Sequence, residues 1–140
     1  MEVIVQENGT GRFVQKVIAN NHVLYADEPK ASGGNDMGPS PYDFLLIGLG
    51  ACTSMTIRMY ADLKKISLEK IIVKLRHEKI YAKDCAECAD SNSKIDHILR
   101  QIEIRGKLSS EERSKLLDIA NKCPVHRTLT SKITITTEMI

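Results

Sequence analysis

The chain has no tryptophan, two phenylalanines and four tyrosines among 140 residues, so it offers few aromatic platforms on which single-stranded bases stack. It also has little excess charge of either sign: 20 Lys and Arg stand against 18 Asp and Glu, a net charge of +2. No stretch gathers more than two or three basic residues. The electrostatic footprint of a protein that tracks a phosphate backbone is missing, and nucleic acid is not an expected partner. Long hydrophobic runs are absent too. The longest, Phe44 to Cys52, falls short of the roughly 20 residues that cross a hydrocarbon layer. Met1 to Gln15 lacks the basic start and continuous apolar stretch of a signal peptide. A soluble, cytoplasmic protein with no membrane partner is expected. Cysteine is sparse, with four in all. In a reducing compartment these read as free thiols, a catalytic pair or a metal site rather than a disulfide framework.

What is present fits one domain over residues 1–140, because a chain 42% hydrophobic at this length can bury most of its apolar surface around a single core. Met1 to Val5 and Arg12 to Ala19 carry β-branched or alternating apolar positions around Asn8-Gly9-Thr10-Gly11, which predicts a β-hairpin. His22 to Ala26 adds a third strand after a turn at Asn20-Asn21. Asp27 to Pro41 holds Gly33, Gly34, Gly38 and Pro39 and reads as a loop.

Pro41 to Lys65 reads as helix, opened by a proline and closed by two lysines. Its first half is apolar nearly all round, which indicates enclosure by its own domain or by a partner subunit. After that, Cys52, Met55, Met59 and Leu63 form a stripe at spacings of three and four. Gly48 and Gly50 are poor interior helix residues and mark an expected break just before Cys52. Ile71 to Ile80 and Ile98 to Ile104 read as strands joined by a polar tip, Lys83 to Lys94. Ser109 to Glu112 fits a capping box, opening a helix that buries Leu116, Ile119, Ala120 and Cys123. Pro124 ends that helix or starts a short one, and Lys132 to Thr137 closes the chain as a Thr/Ile-rich strand. No internal repeat occurs at a fixed period.

Cys52 follows Gly50-Ala51, so a helix restarting at the glycines would set its thiol at the positive end of a dipole, where the reactive thiolate is favoured. The alternative is a buried cysteine used as a small apolar residue. Cys123, directly before Pro124-Val125-His126-Arg127, is either the cap of a short helix or a core cysteine at a helix end. A second thiol near an oxidised first one can condense with its sulfenic acid to a disulfide and prevent overoxidation.

Gly38-Pro39-Ser40-Pro41-Tyr42-Asp43-Phe44-Leu45-Leu46, then Leu49-Gly50-Ala51-Cys52-Thr53, and later Cys123-Pro124-Val125-His126-Arg127-Thr128-Leu129 resemble the OsmC/Ohr family over essentially the whole chain. The resemblance implies an α+β fold in the order β-β-β-α-α-β-β-α-α-β, with two sheets around central helices in an intertwined homodimer. It also implies a thiol-dependent peroxidase acting on organic hydroperoxides and reduced by an external dithiol, with no bound cofactor. By position Cys52 resembles the peroxidatic cysteine and Cys123 the resolving one. Arg12 is the nearest candidate for the arginine of the N-terminal sheet region that holds the thiolate, being charged at any relevant pH. The Ohr branch carries a Glu directly after the helix-opening proline, where this chain has Tyr42, with Asp43 next. That departure points to a divergent branch. On an unbroken helix Asp43 lies about 180° around from Cys52, and it reads equally as a first-turn residue favoured by the dipole.

A competing reading takes Cys85 and Cys88, a CxxC on the polar tip, together with Cys123 and His126 as a non-enzymatic zinc- or thiol-binding set. The CxxC also fits an accessory redox pair. His22, His77 and His97 have no partner spacing and read as surface or satisfied residues.

Overall fold

A computed structural model describes residues 1–85 and 93–140; Cys88, at the far end of the CxxC, lies outside the described residues. Its elements are β1 (Val3–Glu7), β2 (Gln15–Ala19), β3 (His22–Ala26), a 3-10 turn at Lys30–Ser32, α1 (Pro41–Leu63), β4 (Leu68–Tyr81), a 3-10 turn at Ala82–Asp84, β5 (Lys94–Gly106), α2 (Ser110–Ala120) and α3 (Pro124–Leu129). The α+β class holds, with one three-stranded and one two-stranded sheet. The chain divides into two units, Met1–Ile47 and Gly48–Ile140.

In the first unit, β1, β2 and β3 form an antiparallel meander with Val3 opposite Ala19 and Ala19 opposite His22. The turn at Asn20 takes a left-handed φ of 53°, which asparagine tolerates through local side-chain hydrogen bonding. The second strand starts at Gln15, not Arg12. Asn8 N–H donates to the Val14 carbonyl at 3.0 Å, and Val14 is buried, so residues 12–14 belong to the connection and not to the ladder. The following loop is organised by Asp27, which is 2% exposed. Its carboxylate accepts N–H bonds from Glu28 at 2.8 Å, Asn35 at 2.9 Å and Met37 at 3.1 Å. Burial raises the Asp27 pKa, but backbone donors from Met37, Glu28, Asn35 and Asp36 outweigh it and leave the group below its ordinary value.

Helix α1 opens at Pro41 on a cap made by Ser40 and Asp43. The Asp43 carboxylate accepts from Ser40 N–H at 2.9 Å and from its hydroxyl at 2.7 Å. These bonds lower the Asp43 pKa. The expected break at the glycines does not occur, and α1 is one continuous helix of 23 residues. Gly50 has a packing reason instead: a Cβ there would come within 2.8 Å of Leu75 Cδ1 on β4, so the missing side chain lets helix and strand approach. The expected order therefore shortens by one helix.

In the second unit the buried side of α1 is Leu49, Thr53, Ile57 and Ala61, an i, i+4 row that faces the core. The stripe of spacing three and four sits beside it, and its Met55, Met59 and Leu63 are exposed. By length and composition α1 would also cross a membrane; here Ile57 and Ala61 join Leu68, Leu116 and Ala120 in the hydrophobic core.

Strands β4 and β5 make a long antiparallel hairpin, with Leu75 opposite Arg100, Val73 opposite Ile102 and Ile71 opposite Ile104. Each strand extends beyond its predicted bounds because the ladder continues through polar pairs such as Lys79 and Asp96. Helix α2 opens on the expected capping box, with Ser109 Oγ accepting from Glu112 N–H at 3.1 Å and Ser109 N–H donating to Glu112 at 2.8 Å. It buries Leu116, Ile119 and Ala120, and Cys123 follows, fully buried. Pro124 opens α3. Lys132 to Thr137 is not a strand within this chain. Ile133 and Ile135 are exposed, and no strand among the described residues pairs with that segment; extended backbone without a ladder partner is not a β-strand.

Candidate active site

Cys52 and Cys123 are both free thiols, the first half-buried and the second buried, and the Cys52 thiol is among the groups that lower the Cys123 pKa. Two residues 71 positions apart in sequence thus act on one another. The elements that achieve this are α1, which presents Cys52, and the α2–α3 junction, which presents Cys123.

The expected dipole at Cys52 is absent. With α1 unbroken, its N-terminus is at Pro41, about 16 Å before Cys52 at 1.5 Å per residue, and dipole effects fade within the first turn. The helix start falls on the other cysteine. Cys123 is the N-cap of α3, and its Sγ accepts the His126 N–H at 3.3 Å.

Around Cys123 the hydrogen bonds form one network. Thr53 Oγ1 lies 3.8 Å from Cys123 Sγ, donates to the Leu49 carbonyl at 2.7 Å and accepts from Arg100 Nη1 at 2.9 Å. Arg100 also donates to the Ala120 carbonyl at 3.3 Å and to Asn121 Oδ1 at 2.7 Å. Burial pushes the Cys123 thiol up. The His126 N–H, the Cys52 thiol, the Thr53 hydroxyl and the Arg100 charge together outweigh burial, so the thiol sits below its ordinary value of 9.0. The His126 imidazole is lowered by burial and by Arg100, which favours its neutral form. A cleft of about 410 Å³ adjoins the network, with Arg100, Asn121 and His126 among its polar walls and Ile98, Leu117 and Leu129 among its apolar ones.

Arg12 is in the first unit, exposed, with its guanidinium stacked over Phe13 at 4.9 Å. Asp43 serves the α1 cap. Cys85 is in a disulfide and therefore has no thiolate to give a metal. Among the described residues no group of three or more His, Cys, Asp or Glu could hold a metal ion.

Arg100, Thr53 and Asn121 were not anticipated as site residues. A signal for Arg100 exists: it shares parity with Ile98, Ile102 and Ile104, and a charged residue on the apolar face of a strand must find partners inside. For Thr53 the signal is its place in the Leu49, Thr53, Ile57, Ala61 row. Nothing in the sequence marks Asn121.

The OsmC-like protein family model matches residues 33–138. Among solved structures, the chain is similar to an OsmC-like protein from Mycoplasma pneumoniae, with 22% identity, a TM-score of 0.67 and coverage of 91% of this chain and 84% of that one. An organic hydroperoxide resistance protein OsmC from Legionella pneumophila shares 21% identity, with a TM-score of 0.64 over 92% of this chain and 88% of that one. The organic hydroperoxide resistance protein OhrB of Bacillus subtilis shares 13% identity, with a TM-score of 0.61 over 92% and 89%. No curated protein matches by sequence.

Proposed function

Because the chain belongs to the OsmC-like protein family, we propose that it is a thiol-dependent peroxidase that reduces organic hydroperoxides through Cys52 and Cys123. The hydroperoxide class is taken from the names of the Legionella and Bacillus relatives. One observation carries the reading: a half-buried free thiol acts on a buried free thiol whose pKa is lowered. Transfer of the Cys52 proton to Cys123 makes the accessible sulfur the thiolate.

That thiolate attacks the terminal peroxide oxygen. The S–O bond forms, the O–O bond breaks, and the leaving alkoxide takes the proton held by Cys123 and departs as the alcohol, which leaves Cys123 as a thiolate. Cys52 is oxidised by two electrons to the sulfenic acid. The Cys123 thiolate then attacks the Cys52 sulfur, forming the S–S bond while hydroxide leaves and is protonated to water. An external dithiol reduces the disulfide and is itself oxidised to a disulfide. Arg12 is the proposed partner of the Cys52 thiolate, on the family resemblance and on its permanent charge. No bound cofactor enters these steps.

A homodimer is part of the same proposal. Met55, Met59 and Leu63 form an exposed apolar row on α1, and exposed contiguous apolar surface marks interaction sites. A cytoplasmic location, where dithiol reductants are available, fits this chemistry. The test is hydroperoxide consumption by Cys52→Ser protein with excess dithiol. Loss of turnover is expected, and full residual activity overturns the reading.

A further inference from the structure

Arg100 occupies an unusual place for a cation: a half-buried position on the inner face of β5, between Ile98 and Ile102. A guanidinium cannot be discharged there, so its N–H groups must be used. Three of its contacts are given to groups that flank Cys123: Thr53 Oγ1, the Ala120 carbonyl and Asn121 Oδ1. Helix α2 has no basic residue in its last turn, and Arg100 supplies that charge from the neighbouring strand, closing the carbonyl end of α2 just before the cysteine.

The Thr53 hydroxyl has one proton and two lone pairs. In the thiol state its proton goes to the Leu49 carbonyl, one lone pair accepts Arg100, and the other faces Cys123 Sγ. When Cys123 ionises, the hydroxyl proton can turn to the sulfur while Arg100 keeps its lone pair. Arg100 therefore fixes the Thr53 oxygen in both protonation states.

Resting on the peroxidase reading, we propose that Arg100 is a positioning residue for the resolving step: through Thr53 and the α2 terminus it holds the Cys123 sulfur where it condenses with an oxidised Cys52. The bond changes are those of that step, S–S formed and S–O broken, with water leaving. Arg100 exchanges no atom or electron. Without it the sulfenic acid lasts longer, and a second hydroperoxide molecule carries Cys52 on to the sulfinic acid.

The experiment compares wild-type, Arg100→Met and Arg100→Lys proteins by intact mass after rapid mixing with cumene hydroperoxide, which separates sulfenic acid formation from disulfide formation. For Arg100→Met, disulfide formation slows about tenfold more than sulfenic acid formation, equivalent to about 1.4 kcal/mol on one barrier alone, and sulfinic acid accumulates. Arg100→Lys recovers part of the loss. Equal slowing of both steps, or no added sulfinic acid in a folded variant, overturns the proposal. If Arg100→Met does not fold, Thr53→Val and Thr53→Ser replace it: Val must reproduce the defect and Ser must relieve it. A second readout is independent of turnover. In Cys52→Ser protein, the thiolate ultraviolet absorbance of Cys123 titrates at higher pH when Arg100→Met is added. An unmoved titration counts against Arg100, whereas absent peroxide consumption by the wild-type protein with a moved titration counts against the peroxidase reading alone.

Discussion

Arg100 on β5 donates to the Thr53 hydroxyl on α1 at 2.9 Å, across 47 residues of sequence. This bond ties the strand to the helix that carries Cys52, and Thr53 in turn stands 3.8 Å from the sulfur of Cys123. One buried hydroxyl thus links both cysteine-bearing segments to a fixed positive charge. Its removal has separable effects on stability and on thiol chemistry.

Thr53→Val conserves shape and deletes the hydroxyl. Arg100 loses an acceptor in a partly buried place, and the protein is destabilised by about 1–3 kcal/mol, the cost of leaving such a donor unpaired. Urea unfolding of the two proteins measures it; a midpoint no lower than wild type contradicts the prediction.

The lowered pKa of Cys123 makes stability depend on pH in a definite direction. A group that ionises more readily folded than unfolded stabilises the fold fully above its unfolded pKa, and this contribution is lost as pH falls through the folded pKa. Stability contributed by this thiol therefore rises with pH toward 9.0. Comparing denaturation midpoints across this alkaline range, Cys123→Ser protein shows a smaller rise than wild type.

Cys123→Ser leaves Cys52 without its buried partner. One equivalent of hydroperoxide oxidises Cys52 to a sulfenic acid that cannot close to a disulfide with position 123. Trapping with a sulfenic-acid reagent followed by mass spectrometry shows labelling at Cys52 in this variant and little in wild type. Comparable labelling in both would mean that Cys123 does not resolve.

The capping box at Ser109 is exposed and remote from the cysteines. Ser109→Ala costs about 1 kcal/mol, a fall in Tm of about 3–5 °C for a chain of this size. Calorimetry reads the shift, and peroxidase turnover at 25 °C stays within error of wild type.

The exposed α1 row gives the homodimer proposal its own check. Met59 is 72% exposed in the single chain, so Met59→Lys costs little in an isolated subunit but places a charge in an apolar interface. Sedimentation velocity is expected to show a dimer for wild type and a shift toward monomer for the variant; a wild-type monomer ends the proposal.

Much of the fold was legible because it is governed by local chemistry. The meander follows from Asn8-Gly9 and Asn20-Asn21 between β-branched runs, α2 from Ser109 and Glu112, and α3 from Pro124. Structure and expectation part where packing overrides local preference. Gly48 and Gly50 argue for a broken helix on propensity, yet α1 runs through both, with Gly50 packed against the Leu75 side chain of β4. The Ile133 and Ile135 alternation reads as a strand, but pairing requires a partner that this chain does not provide among its described residues.

The order of residues is enough to pick out which groups can do the chemistry: two cysteines in separate blocks, one before a helix-opening proline. How they are supported is a matter of packing. Position along the chain carries no information on what lies across a strand or helix, so the Arg100 charge, the Thr53 hydroxyl and the Cys52 thiol converge on Cys123 through packing alone. The helix start expected to activate Cys52 falls instead at Cys123, because α1 runs through its glycines and α3 begins at a proline.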